Sequence, residues 1–154
     1  MKSKILTVIL AIGSGFLLTV IQSIAVLAAN KAQCLITLSI AKRFEDKQIG
    51  EGEASKTYKA YEEAFNNSDS IKKEDYLWLL QNGTPAGKVY AAMLLRGSGK
   101  ANDADSFGKL SNDQSKIEVQ SGCEVFKDTV SEIVKSFIKS GDYLGIKYLN
   151  KNKK

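Results

Sequence analysis

The chain contains no histidine, and this limits the chemistry open to it. Ser–His and Cys–His nucleophile activation is excluded, and the commonest zinc ligand is missing. Its two cysteines, Cys34 and Cys123, cannot by themselves form a Cys-rich zinc site. Carboxylate chemistry remains. Glycoside hydrolysis uses two acids flanking the scissile bond, and Glu62, Glu63, Glu74 and Asp75 qualify by residue type. Adjacent acids on a helix point in different directions, so these four read equally as exposed charged faces. Asp103 and Asp105 open a segment that starts like a calcium-binding loop, but Phe107 and Gln114 stand where its later oxygen ligands belong. Gly97-Ser98-Gly99-Lys100 is glycine-rich without the spacing of a phosphate loop, and it follows a helix where such a loop precedes one. No catalytic, cofactor-binding or metal residue is therefore assigned, and no cofactor is expected.

The elements that would position any site are organised around residues 71–99, IKKEDYLWLLQNGTPAGKVYAAMLLRGSG. Tyr76 to Leu80 are consecutive and apolar, and acids precede them, so a largely buried helix is expected over Lys72–Gln81. Asn82-Gly83 should end it in the left-handed conformation that glycine tolerates. Thr84 can then cap a second helix, with Pro85 at its first position, where a missing N–H costs nothing. Ala86, Val89, Tyr90, Met93 and Leu94 follow at helical spacing, with small residues that admit a close neighbour. A buried helix, a corner at Gly83, Thr84 and Pro85, and a second helix resemble one unit of a HEAT-type helical repeat. Without that resemblance the stretch reads as an ordinary helical hairpin.

The N-terminus is Met-Lys-Ser-Lys followed by 25 uncharged residues, Ile5 to Ala29. Small residues close the run, and cleavage after Ala28 or Ala29 fits an export signal. The same length spans a bilayer, so a retained membrane anchor is the alternative. Either way the rest of the chain is expected outside the cytoplasm, periplasmic or extracellular, because Lys2 and Lys4 stay inside. In an oxidising compartment two cysteines allow one intramolecular pairing. A Cys34–Cys123 disulfide is expected, and the alternative is two free thiols. Cys34 is not a lipid-attachment site, since Lys31-Ala32-Gln33 precedes it.

After the leader, Ile36, Ile40 and Phe44 fall four apart and predict a helix from Lys31 to about Lys47. Glu53–Phe65 is amphipathic, with Ala54, Tyr58, Tyr61 and Phe65 in one stripe. Lys116–Gln120 alternates and predicts a short extended segment with no strand partner elsewhere. Phe126, Val130, Ile133, Val134 and Phe137 predict a helix over Glu124–Lys139, ended at Ser140-Gly141. Asp142 is expected to cap a last short helix.

These elements predict an all-α fold, a compact orthogonal bundle of about five to seven helices over residues 30–149. Residues 1–29 form the signal or anchor and 150–154 a basic tail. The formal charge is +5 and falls by two when Lys2 and Lys4 are removed. No basic patch with interleaved aromatics is present, so no nucleic-acid partner is expected. The expected function is a non-catalytic, exported protein-interaction module, with an unidentified envelope protein as partner. Tyr58, Tyr61, Tyr76, Trp78 and Tyr90 are its candidate anchors. A carboxylate-based envelope hydrolase is one alternative. The other is an accessory protein held to the membrane by an uncleaved residue 5–29 segment.

Overall fold

Thr84 and Pro85 start the longest helix among the described residues as their chemistry dictates. In the computed structural model, which describes residues 32–49, 52 and 54–151, the Thr84 hydroxyl accepts the Gly87 N–H at 3.2 Å. Helix α4 (Pro85–Gly97) follows and is buried on nearly every side. Before it come α1 (Gln33–Ser39), strand β1 (Arg43–Ile49), α2 (Lys56–Asn66) and α3 (Lys73–Asn82). After it come a 3-10 turn (Gly108–Leu110), β2 (Lys116–Gly122), β3 (Glu124–Thr129) and α5 (Val130–Ser140). The pair β4 (Asp142–Tyr143) and β5 (Ile146–Lys147) closes the described chain.

The expectation of an all-α bundle is overturned. The fold is mixed α/β, with a three-stranded sheet in the order β1-β2-β3 and a separate two-stranded hairpin. β2 does have partners. It runs parallel to β1, with Arg43 opposite Glu118 and Phe44 opposite Val119. It runs antiparallel to β3, with Glu118 opposite Lys127 and Val119 opposite Phe126. Each strand thus sends one row inward (Phe44, Val119, Phe126) and the adjacent row outward (Arg43, Glu118, Lys127), as a period of two requires.

Three helix expectations fail for physical reasons. The stripe Ile36–Ile40–Phe44 is not one helix face: α1 stops at Ser39, Leu35 and Leu38 are its fully buried residues, and Ile40 is 70% exposed. Residues 124–129 form β3 because Gly122 takes φ +58 and turns the chain back along β2, so α5 begins only at Val130. Thr129 then caps α5 by accepting the Glu132 N–H at 3.2 Å. The last short helix is instead the β4–β5 hairpin, whose turn residues Leu144 and Gly145 both take positive φ. Gly141, at φ +79, does end α5 in the left-handed conformation.

The corner at Gly83 also differs. Gly83 is extended (φ −73°) rather than left-handed, and a Cβ there would lie 2.7 Å from the Leu79 carbonyl oxygen. The corner is fastened to the α1–β1 junction: Thr84 N–H donates to Ser39 C=O at 2.9 Å and the Thr84 hydroxyl to Ala41 C=O at 2.6 Å.

The core lies between the inner sheet face and the helices. Phe44 packs edge-on against Phe137, with centroids 6.1 Å apart, and against Tyr90 at 5.4 Å. Among the described residues no helix is long and apolar enough to cross a membrane. Residues 5–29, with the cleavage positions Ala28 and Ala29, lie outside the described residues.

Candidate functional site

The sequence-named residues are not brought together. Glu74 and Asp75 sit in the first turn of α3, where the Asp75 carboxylate accepts the Lys72 N–H at 3.3 Å. Glu62 reaches Lys47 at 3.7 Å. Glu63 lines a shallow cleft with Cys34. Asp103 is paired with Arg96, and the Asn102 side chain holds the Asp105 N–H at 2.8 Å. No group of three or more Cys, Asp or Glu residues gathers as a metal would need, among the described residues. Four of the five aromatic anchor candidates, Tyr58, Tyr61, Tyr76 and Tyr90, are buried core.

The two cysteines are free thiols. Cys34 is buried on α1, which packs on α2 and α3, whereas Cys123 is exposed at the tip of the β2–β3 hairpin. The bridge expected between them is not formed in this structure. Burial pushes the Cys34 thiol up, and Glu63 adds to the shift, so it stays a thiol and not a nucleophilic thiolate.

The feature that stands out is a groove of about 490 Å³ where α1, the start of β1 and the start of α2 meet. Ile36, Ile40 and Ala41 form its apolar side, and Lys42, Arg43, Glu45, Lys56 and Glu118 its polar side. The groove exists because α1 stops at Ser39, about two turns before the expected end. The carbonyls of Ser39, its last residue, and of Ala41 just beyond are taken by the Thr84 corner, and the chain enters β1 with Ile40 left outside.

The polar side is ordered by side-chain pairs. The Arg43 guanidinium donates to Glu118 at 2.9 Å and reaches Gln120 at 3.5 Å. This hydrogen bond and charge hold the Glu118 carboxyl below its ordinary range. The Ser55 hydroxyl, which also caps α2, donates to Glu45. Tyr90 fixes the strand beneath, its hydroxyl accepting the Glu45 N–H at 2.9 Å and facing the Glu45 carbonyl at 3.3 Å.

Two acids therefore line one groove, and sequence reading named neither. A hydrolase of this type needs a carboxyl kept protonated in an apolar pocket as general acid. Glu118 is held in the opposite state by Arg43, and Glu45 is tied to a hydroxyl donor. The arrangement suits binding better than proton transfer.

The outer sheet face continues the groove. Across it Arg43, Glu118 and Lys127 form one row, and a second open cleft of about 390 Å³ is lined by Lys42, Lys116, Ile117, Glu118 and Lys127. No protein-family model matches the chain, and no curated protein matches it at a significant level.

Proposed function

We propose that this chain is an exported, non-catalytic module that binds another protein in the cell envelope through the groove at α1 and β1. Ile40 carries the reading. Single exposed aliphatic side chains are ordinary on protein surfaces. Ile40 is 70% exposed at the mouth of an open groove, on a backbone held by the Thr84 corner, and it is flanked by paired polar groups. An apolar centre with a polar rim is how interfaces concentrate their energy. The positive, then uncharged, N-terminal sequence supports the export half of the reading.

The test is a photo-crosslinking amino acid placed at position 40 of the full-length chain, in cells that make it. Position 138, on α5 and 45% exposed, serves as the reference. A light-dependent protein adduct from position 40 but not from 138 is expected. Equal adducts from both positions, or none from 40, would remove the groove as the binding surface.

A further inference from the structure

Resting on that reading, we infer that the partner presents an acidic surface with an aliphatic side chain at its centre, and that it covers the groove and the outer sheet face together. The charges on this face are one-sided. Lys42, Arg43, Lys56, Lys116 and Lys127 line the two adjoining clefts, against Glu45 and Glu118 alone. Both acids are already engaged, Glu118 by Arg43 at 2.9 Å and Glu45 by the Ser55 hydroxyl. Lys42, Lys116 and Lys127 are exposed. None of these three makes an ion pair with a described acid, although Lys127 adds to the field that lowers the Glu118 carboxyl. Elsewhere Lys88 pairs with Asp113, Arg96 with Asp103, Lys135 with Glu132 and Lys151 with Asp69, while Lys72, Lys73, Lys109, Lys139 and Lys147 also make no ion pair with a described acid; this face differs in setting three such lysines along two adjoining clefts beside an apolar centre. An excess of unmatched cations on one open face attracts and orients a negatively charged partner.

Other polyanions fit less well. A nucleic acid would need aromatic or guanidinium stacking platforms. Neither cleft has an aromatic side chain, and the one guanidinium among their lining residues, Arg43, is already paired with the Glu118 carboxylate. The centre of the surface is instead the aliphatic pair Ile36 and Ile40, which matches a Leu, Ile or Val of a protein. An acidic protein thus satisfies both halves of the surface, with carboxylates over the lysines and an aliphatic side chain beside Ile40.

The experiment uses the position-40 crosslinker in the full-length chain, with and without the triple substitution Lys42→Glu, Lys116→Glu and Lys127→Glu. Circular dichroism confirms that the triple variant is folded, and a single Lys127→Glu chain replaces it if it is not. The adduct is digested and the crosslinked peptide identified by mass spectrometry. The expected result is a peptide rich in Asp and Glu, with adduct yield falling about tenfold or more on charge reversal and falling also at high salt. A protein adduct whose yield ignores charge reversal overturns the acidic partner and leaves the binding groove standing. An adduct to nucleic acid or lipid, or no adduct, overturns both.

Discussion

Replacing Gly87 with Ala should destabilise the protein although it improves the helix. A Cβ at this position would lie 2.6 Å from the Leu38 carbonyl oxygen and 3.4 Å from both Leu38 C and Ser39 Cα. Every one of these neighbours is backbone, so no side chain can swing aside. To regain ordinary contact α1 must withdraw by nearly an ångström. That withdrawal stretches the bonds from Thr84 to Ser39 C=O and Ala41 C=O, now 2.9 and 2.6 Å long. Two such bonds contribute about 0.5–1.5 kcal/mol each. Overpacking that is tolerated in place costs about 1–3 kcal/mol instead. Against either stands the helical preference for Ala over Gly, about 1 kcal/mol in a helix interior. The net loss is up to about 2 kcal/mol, which lowers a urea midpoint by up to roughly 1 M at an ordinary slope. Urea titration followed by far-ultraviolet circular dichroism measures it. A midpoint raised above that of the parent chain, as helix preference alone would give, would refute the close docking of α4 on α1.

Four further outcomes are expected. Thr84→Ala removes the α4 cap and leaves the Ala41 carbonyl without its donor, and should cost about 1–3 kcal/mol; a melting temperature unchanged within error would contradict this. Native protein should show one fast-reacting thiol, Cys123, with Cys34 labelled only after unfolding; two thiols blocked until reduction would instead establish the Cys34–Cys123 bridge. Burial opposes ionisation of Asp113, but hydrogen bonds from Ser115 and Lys88 hold its carboxyl below the ordinary 3.8. Its contribution is therefore full above pH 3.8 and lost as pH falls through the lowered folded value, and Asp113→Asn should flatten that acid limb in stability-versus-pH titrations. Gly97→Ala drives a Cβ into the Leu149 carbonyl oxygen. It should lift the C-terminal segment that Tyr61 Oη and Gly97 C=O hold at 2.8 and 3.1 Å, and faster hydrogen exchange at Leu149 and Lys151 would report it.

The helices with complete local signals were legible in the sequence. The Thr84-Pro85 start of α4, the apolar run of α3, the stripe of α2 and the Gly141 end of α5 each rest on residues a few positions apart. The sheet was not legible, because its first pairing joins residues 75 apart. β1 was hidden by an accidental four-residue spacing, since Ile36 and Ile40 belong to a helix that stops and Phe44 to a strand that follows. β3 was hidden by the acids Glu124 and Asp128, which resemble a helix first turn. The usable signal was Gly122 beside an alternating run, a turn marker that makes a hairpin of residues 116–129. The groove could not be read at all. Ile40 becomes an exposed side chain only once α1 is known to end at Ser39, and Glu45 meets Glu118 in one groove only through the parallel register.

That parallel register also sets a timetable for folding. β1 leaves the ribosome, or a translocation pore, long before the strand that completes its hydrogen bonds. Closing a loop of this length costs about 4 kcal/mol of chain entropy before any pairing offsets it. The helices between the strands are local and can form first. Tyr90, on the last of them, then reaches the Glu45 backbone and holds the early strand in line. The β2–β3 hairpin arrives last and docks along a strand already straightened for it, so the outer face that carries Lys116 and Lys127 exists only once synthesis has passed Thr129.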